Sequence, residues 1–126
     1  MRRVVMSFCS VLVGGMAVGC AAADAGAPVR ASELQALIRA AVADAARRTG
    51  VDPTSIAVAL AEPVTWPDSS LGCPQPGRSY MQVLVAGYLI RLSAGKEQLE
   101  YHAGAHGEPF YCAAGRSTPP AADRRI

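Results

Sequence analysis

A helical pattern of apolar residues opens the part of the chain that can form a folded domain. Ser32 followed by Gln35 matches a capping box at a helix start. Arg47 and Arg48 suit a helix C-terminus, and Gly50 is the residue type that commonly follows one. The apolar positions that share one face are Leu34, Leu37, Ile38, Ala41, Val42 and Ala45. This pattern predicts an amphipathic helix that begins after Ser32 and ends before Gly50.

A period of two follows the helical pattern and predicts a strand. In IAVALAEPVTW, residues 56–66, large apolar side chains share one parity and three alanines share the other. We therefore expect a strand with its large residues facing the core. Pro63 cannot donate a ladder hydrogen bond, which predicts a sheet edge or a bulge at this point.

Two further patterns predict a hairpin. In SYMQVLVAGYLIRLS, residues 79–93, the alternation breaks at Ala86 and Gly87, which predicts a bulge or sharp bend there. The run SAGK, residues 93–96, predicts a turn, and EQLEYHA, residues 97–103, predicts a final strand. The fold class expected is α+β, with one N-terminal helix packed on a small antiparallel sheet of three to four strands.

The first residues have the organisation of an export signal. Arg2 and Arg3 precede an apolar stretch that is too short for a membrane span, and small residues follow it. We expect residues 1–19 to be a signal peptide and Cys20, which follows a lipobox-like run, to be lipidated. The alternative is ordinary cleavage in the alanine run, for example after Ala23.

Composition divides the rest of the chain into three parts. Residues 20–30 are small and mostly uncharged, which predicts a lipid anchor followed by a flexible tether. Residues 31–114 hold the periodic patterns and form the predicted small α+β domain. Residues 115–126 contain two prolines, four charged residues and little to bury, so we expect a disordered tail.

The cysteines support export and predict one disulfide. Cys9 leaves with the signal, and Cys20 is either lipidated or removed. Cys73 and Cys112 remain, and two cysteines in a small exported domain are expected to pair. The alternative is two free buried thiols. A domain this small is marginal on hydrophobic burial alone, so the disulfide would add needed stability.

The charge balance argues against nucleic-acid binding. The chain carries twelve basic and ten acidic residues, and removal of Arg2 and Arg3 with the signal leaves ten of each. Aromatic residues are few and the sequence has no basic cluster. Nucleic acid is therefore not an expected partner. The expected partners are the membrane, through a lipid on Cys20, and an envelope protein.

The segment TWPDSSLGCPQPG, residues 65–77, predicts a rigid loop that is a candidate binding surface. Its prolines restrict the backbone, and Asp68 can accept the backbone N–H groups of the two serines that follow. A rigid, stapled loop presents a fixed shape at low entropic cost. The candidate binding residues are Trp66, Asp68, Ser70, Leu71, Pro74 and Pro76.

These residues resemble a known pattern, W-x-D-x-S-L-G-C-P-x-P-G-x-x-Y-x-Q-V followed by G-Y-x-I, a closing strand with Y-H and a late cysteine. The pattern is similar to that of an uncharacterised family of bacterial secreted and lipoprotein domains. It covers roughly residues 56–112. Leu99 replaces an expected aromatic residue, and Ala86 replaces an expected proline. The resemblance implies the exported location, the disulfide and the α+β fold, and it implies no reaction.

The sequence allows one hypothetical metal site and one hypothetical catalytic site, but each set of residues is also explained by an ordinary structural role. His102 and His106, with Glu100 or Glu108, could ligate a metal, whereas two surface histidines explain the same residues. Ser69 or Ser70 with His102 and Asp68 could form a nucleophilic site. No nucleophile elbow accompanies them, and turn formation explains the serines. We therefore assign no catalytic residue, metal or cofactor.

The function expected from the sequence is a non-enzymatic binding or structural module on a cell-envelope lipoprotein. The domain would face the periplasm or the exterior. The alternative is an inhibitor of a secreted protease that acts through residues 66–77. A third hypothesis is a small hydrolase or a metal-binding protein.

Overall fold

The computed structural model describes residues 27–122, with side chains from residue 31 onward. The elements in chain order are helix α1 (Ala27–Thr49), a 3₁₀ turn (Pro53–Ser55) and strands β1 (Ile56–Trp66), β2 (Val85–Ala94), β3 (Glu97–Gly104) and β4 (Phe110–Cys112). The predicted signal peptide and the lipidation site at Cys20 lie outside the described residues. Within residues 27–122, no helix has the length and apolar character needed to cross a bilayer.

The predicted α+β fold is confirmed. The four strands form one antiparallel sheet in the order β1-β2-β3-β4, and α1 packs on one face of it. The predicted hairpin is also confirmed, because Ala94 pairs with Glu97 across a two-residue turn. A disulfide joins Cys73 to Cys112, whose Cα atoms are 5.9 Å apart.

The end of helix α1 is as predicted, but its start is not. Gly50 has a φ of +72° and its N–H donates to the carbonyl of Ala46 at 2.9 Å, so it ends the helix. The helix begins at Ala27, within the predicted tether, so Ser32 lies inside it and the predicted capping box is wrong.

Helix α1 covers the face of the sheet to which Ile90 and its partner Tyr101 contribute. The buried residues of this core are Leu37, Ala41, Ala45, Ile56, Tyr88, Ile90, Leu92, Ala94, Leu99, Tyr101 and Ala103. Polar contacts fix the helix at the core margin. The Tyr101 hydroxyl donates to Asp44 at 2.7 Å, and Arg48 donates to the same carboxylate at 2.5 Å.

Strand β1 is an edge strand, as Pro63 predicted. The residues that face the helix, however, change from even-numbered to odd-numbered positions along the strand. The pairing register shifts between Val58 and Leu60, and this bulge exchanges the two faces of the strand. Val58, expected in the core, is 45 % exposed, whereas Ala61 packs against the core. Trp66 consequently points to the sheet face opposite the helix.

The predicted bulge at Ala86 and Gly87 is wrong. Both residues pair in regular register with β1, where Gly87 lies opposite Val64. A Cβ atom at Gly87 would lie 2.1 Å from the carbonyl oxygen of Ala103 and 2.7 Å from Nε1 of Trp66. The glycine is therefore required by the close approach of both the Ala103 carbonyl and the Trp66 ring, and the apparent break in alternation reflects this packing.

Candidate functional site

The sheet face opposite the helix carries a second buried cluster, centred on Trp66 and His102. Neither side chain is exposed, and their rings stack with centroids 4.4 Å apart. Trp66 donates its indole N–H to the carbonyl of Ala103 at 3.0 Å. The cluster is covered by the long loop (residues 67–84) and by the C-terminal segment (residues 113–122), which together form a third layer over the sheet.

His102 joins the sheet to the long loop. Its Nδ1 lies 2.6 Å from the carbonyl oxygen of Leu71, and its Nε2 lies 2.8 Å from Oε1 of Glu100. Glu100 and His102 are two residues apart on β3, so their side chains share one face of the sheet. Both ring nitrogens are therefore engaged in a site closed to solvent.

Glu100 is the polar centre of the cluster. Its Oε2 accepts a hydrogen bond from Arg91 at 2.8 Å, and its Oε1 accepts from the hydroxyl of Ser117 as well as contacting His102. Burial alone would raise the pKa of Glu100, but the hydrogen bonds from Ser117, Arg91 and His102 lower that pKa to about 2. The carboxylate is consequently ionised across the physiological range.

The long loop is held along its length by specific bonds. Asp68 accepts the backbone N–H of Ser70 at 2.8 Å, which confirms part of the predicted Asx turn. Ser69 forms two hydrogen bonds with Met81, one from its backbone N–H and one to its hydroxyl. The hydroxyl of Tyr80 accepts the backbone N–H of Gln75 at 2.9 Å. Together with the disulfide, these contacts give the loop a defined shape.

The C-terminal segment differs from the predicted disordered tail. The backbone N–H of Thr118 donates to the carbonyl of Gly72, and that of Ala121 donates to the carbonyl of Thr65, each at 2.8 Å. Ser117 also reaches Glu100. The segment has few apolar side chains to bury, and its contacts are made mainly by the backbone and one hydroxyl. The remaining residues of the predicted tail, 123–126, lie outside the described residues.

The predicted binding residues divide into buried and accessible groups. Trp66, Ser70 and the disulfide face inward, so they support the loop and leave no surface for a partner. Asp68, Leu71 and Pro74 are partly buried, and Pro76 is exposed. The exposed residues of the loop therefore lie mainly after Pro74, towards and beyond the end of the predicted segment 65–77.

The residues with the most accessible apolar surface are Met81, Val83 and Leu84, at the end of the long loop. They are 67 %, 48 % and 72 % exposed. Leu84 also lines an open groove with a volume of about 1210 Å³. The groove lies between the N-terminal half of α1, the end of β1 and the C-terminal segment, and its lining includes Glu33, Glu62, Val64, His106 and Ala121. We refer to Met81, Val83 and Leu84 as the apolar surface.

The catalytic arrangements drawn from the sequence are not assembled. His102 contacts Leu71 and Glu100, whereas the Ser69 hydroxyl accepts the backbone N–H of Met81. His102 is fully buried and His106 is exposed, so they do not present a joint surface. Among residues 27–122, no group of three or more His, Cys, Asp or Glu side chains is placed to hold a metal ion.

The Glu100–His102–Ser117 arrangement was not predicted. Both Ser117 and His102 approach the same carboxylate, so the histidine is not placed between the serine and the acid as in a catalytic triad. The sequence signal for part of this cluster was available, because Glu100 and His102 have the spacing of two residues on one strand face. Nothing in the sequence indicates Ser117.

The comparisons with known proteins identify a family and no activity. The family model described as Domain of unknown function (DUF8738) matches residues 38–112, which run from within α1 to the second cysteine of the disulfide. No curated protein and no solved structure matches the chain at a significant level. Because the family model covers more than half of the chain, the chain belongs to the family Domain of unknown function (DUF8738).

Proposed function

We propose that this protein is a lipid-anchored envelope protein whose domain binds another envelope protein without catalysing a reaction. The observation that carries this proposal is the apolar surface, where three large side chains lie exposed on one short segment. Clustered exposed apolar residues mark interaction sites more often than scattered ones. The export signals and the W-x-D-x-S-L-G-C-P-x-P-G resemblance support the envelope location.

The long loop is well suited to present this surface. Met81 is joined to Ser69 by two hydrogen bonds, and the disulfide holds the same loop to β4. A loop ordered before binding loses little conformational entropy when a partner arrives. The buried residues Trp66 and His102 then serve binding indirectly, since they support the loop from below.

The groove beside Leu84 favours a particular class of partner. Its lining combines apolar side chains such as Val64 and Leu84 with the carboxylates of Glu33 and Glu62. A partner segment with apolar residues next to basic ones would complement this lining. Binding would then combine apolar burial at Leu84 with charge pairing at the groove wall.

Charged substitutions test the apolar surface directly. We expect Met81→Asp and Leu84→Asp to abolish capture of the partner from an envelope extract of the source organism, because each places a charge in the proposed contact. Val58→Asp is the matched control, since Val58 is 45 % exposed on β1 and does not line the groove. Equal capture by all variants, with folding checked by circular dichroism, would contradict the proposed surface.

The lipid anchor has its own test. We expect Cys20→Ala to move the protein from the membrane fraction to the soluble fraction, because the substitution removes the proposed lipid attachment site. The measurement is fractionation with detection of the intact domain. A protein that is already soluble before the substitution would indicate cleavage in the alanine run instead.

An inhibitor of a secreted protease is the second candidate function. The observation that favours it is the exposed turn from Gln75 to Arg78, which the disulfide and the hydroxyl of Tyr80 hold in place. The capture experiment separates the two candidates. A captured protease that loses activity on binding would support inhibition, whereas a partner without protease activity would favour the binding module.

A further inference from the structure

The two ring nitrogens of His102 both face acceptors. The carbonyl oxygen of Leu71, 2.6 Å from Nδ1, has no proton to donate. The carboxylate of Glu100, 2.8 Å from Nε2, already accepts from Arg91 and Ser117. The hydroxyl of Ser117 also lies 3.5 Å from Nε2, but its one proton is donated to Oε1 of Glu100, so it supplies no donor to the ring. A neutral imidazole has one donor and one acceptor, and it would leave a lone pair directed at one of these oxygens.

Rotating the ring by half a turn does not remove the conflict, because it would place ring carbons against both oxygens and lose both hydrogen bonds. An imidazolium, by contrast, donates from both nitrogens and satisfies both contacts. Since His102 is fully buried, no bulk water can replace a missing bond. We propose that His102 carries a proton on each ring nitrogen, and that this buried cation fastens the long loop and the C-terminal segment to the sheet.

The surroundings of His102 are consistent with a cation. Trp66 from β1 presents its ring face at 4.4 Å, which favours positive charge on the imidazole. Phe110 from β4 approaches at 6.0 Å and carries no charge. From β2, Arg91 binds the other oxygen of Glu100, so one carboxylate balances two cations. Ser117 from the C-terminal segment contributes only a hydroxyl.

The arrangement has a defined dependence on pH. The pKa of Glu100 is lowered from 4.5 to about 2, so the contribution of its ionised form to stability is present above about pH 4.5 and is lost as the pH falls toward 2.

Nitrogen NMR of histidine-labelled protein tests the proposal at neutral pH. We expect both ring nitrogens of His102 to be protonated, with the exposed His106 as an internal reference. In Glu100→Gln, which preserves the shape of the side chain, the amide N–H can donate to Nε2. We therefore expect His102 to become neutral there, with its one proton on Nδ1, and hydrogen exchange at the amides of Thr118 and Ala121 to become faster.

Two outcomes would overturn the proposal. One is a wild-type spectrum in which either ring nitrogen of His102 lacks a proton while the domain is folded. The other is a folded Glu100→Gln variant in which His102 keeps both protons, since the carboxylate would then not be the group that holds them. If the variant fails to fold, the wild-type spectrum still decides the protonation state.

Discussion

Trp66→Ala is expected to lower the free energy of unfolding by about 3–5 kcal/mol, the range for removal of a large buried aromatic side chain. The indole is fully buried, stacks on His102 and donates to the carbonyl of Ala103. Its removal would leave a cavity beside Gly87 and take one hydrogen-bond donor from the carbonyl of Ala103. Because native domains are stable by only about 5–15 kcal/mol, a loss of this size is a large fraction of the total. The measurement is urea denaturation followed by far-ultraviolet circular dichroism.

Leu84→Ala is the matched control for this experiment. It also removes a large apolar side chain, but Leu84 is 72 % exposed, so we expect a change within about 0.5 kcal/mol. Similar losses in the two variants would contradict the assignment of Trp66 as the centre of the second cluster.

Removal of the disulfide is expected to have an effect of the same order. Replacing Cys73 and Cys112 by serine should lower the free energy of unfolding by about 4 kcal/mol, because the bond closes a loop of 39 sequence positions in the unfolded chain. Denaturation of the wild-type and the double variant gives the difference. The intact mass of the wild-type should also be two hydrogens below that of its reduced form.

A reducing agent provides the control for the disulfide. It should lower the stability of the wild-type protein to that of the double variant and should leave the variant unchanged. Free thiols at both positions in the purified protein, or a double variant as stable as the wild-type, would contradict the prediction. A partial loss would indicate that the unfolded chain is already compact around the loop.

The sequence predicted the elements whose signals are local. The 3.6-residue period and Gly50 located the body and end of α1, and the glycine between two alternating runs located the β2–β3 turn. The start of α1 was missed because Ser32, a good capping residue, also lies comfortably within an alanine-rich helix. The sequence showed that the alternation breaks at Gly87, but it did not show why a glycine is needed there. A side chain at this position would clash with the ring of Trp66, 21 positions earlier, and with the carbonyl of Ala103. No local sequence pattern predicts contacts between residues so far apart in the chain.

Some contacts of the second buried cluster could also be predicted from the sequence, and others could not. The pairing of Cys73 with Cys112 could be predicted from the cysteine count and the expected exported location. The turn at Asp68 could be predicted from the two serines that follow it. The bulge in β1 could not be located, and it decides that Trp66 faces away from the helix. The role of Ser117 depends on how the chain returns after β4, which no spacing rule predicts.

The C-terminal segment has a practical consequence for where this domain is taken to end. The family match ends at residue 112, and a composition-based cut would fall near residue 114. Either boundary omits Ser117 and the two backbone bonds that reach Gly72 and Thr65. A protein expressed to residue 112 would therefore leave Glu100 without one of its donors and part of the second cluster uncovered. Expression of this domain should therefore include residues 113–122, and an affinity tag belongs beyond that segment.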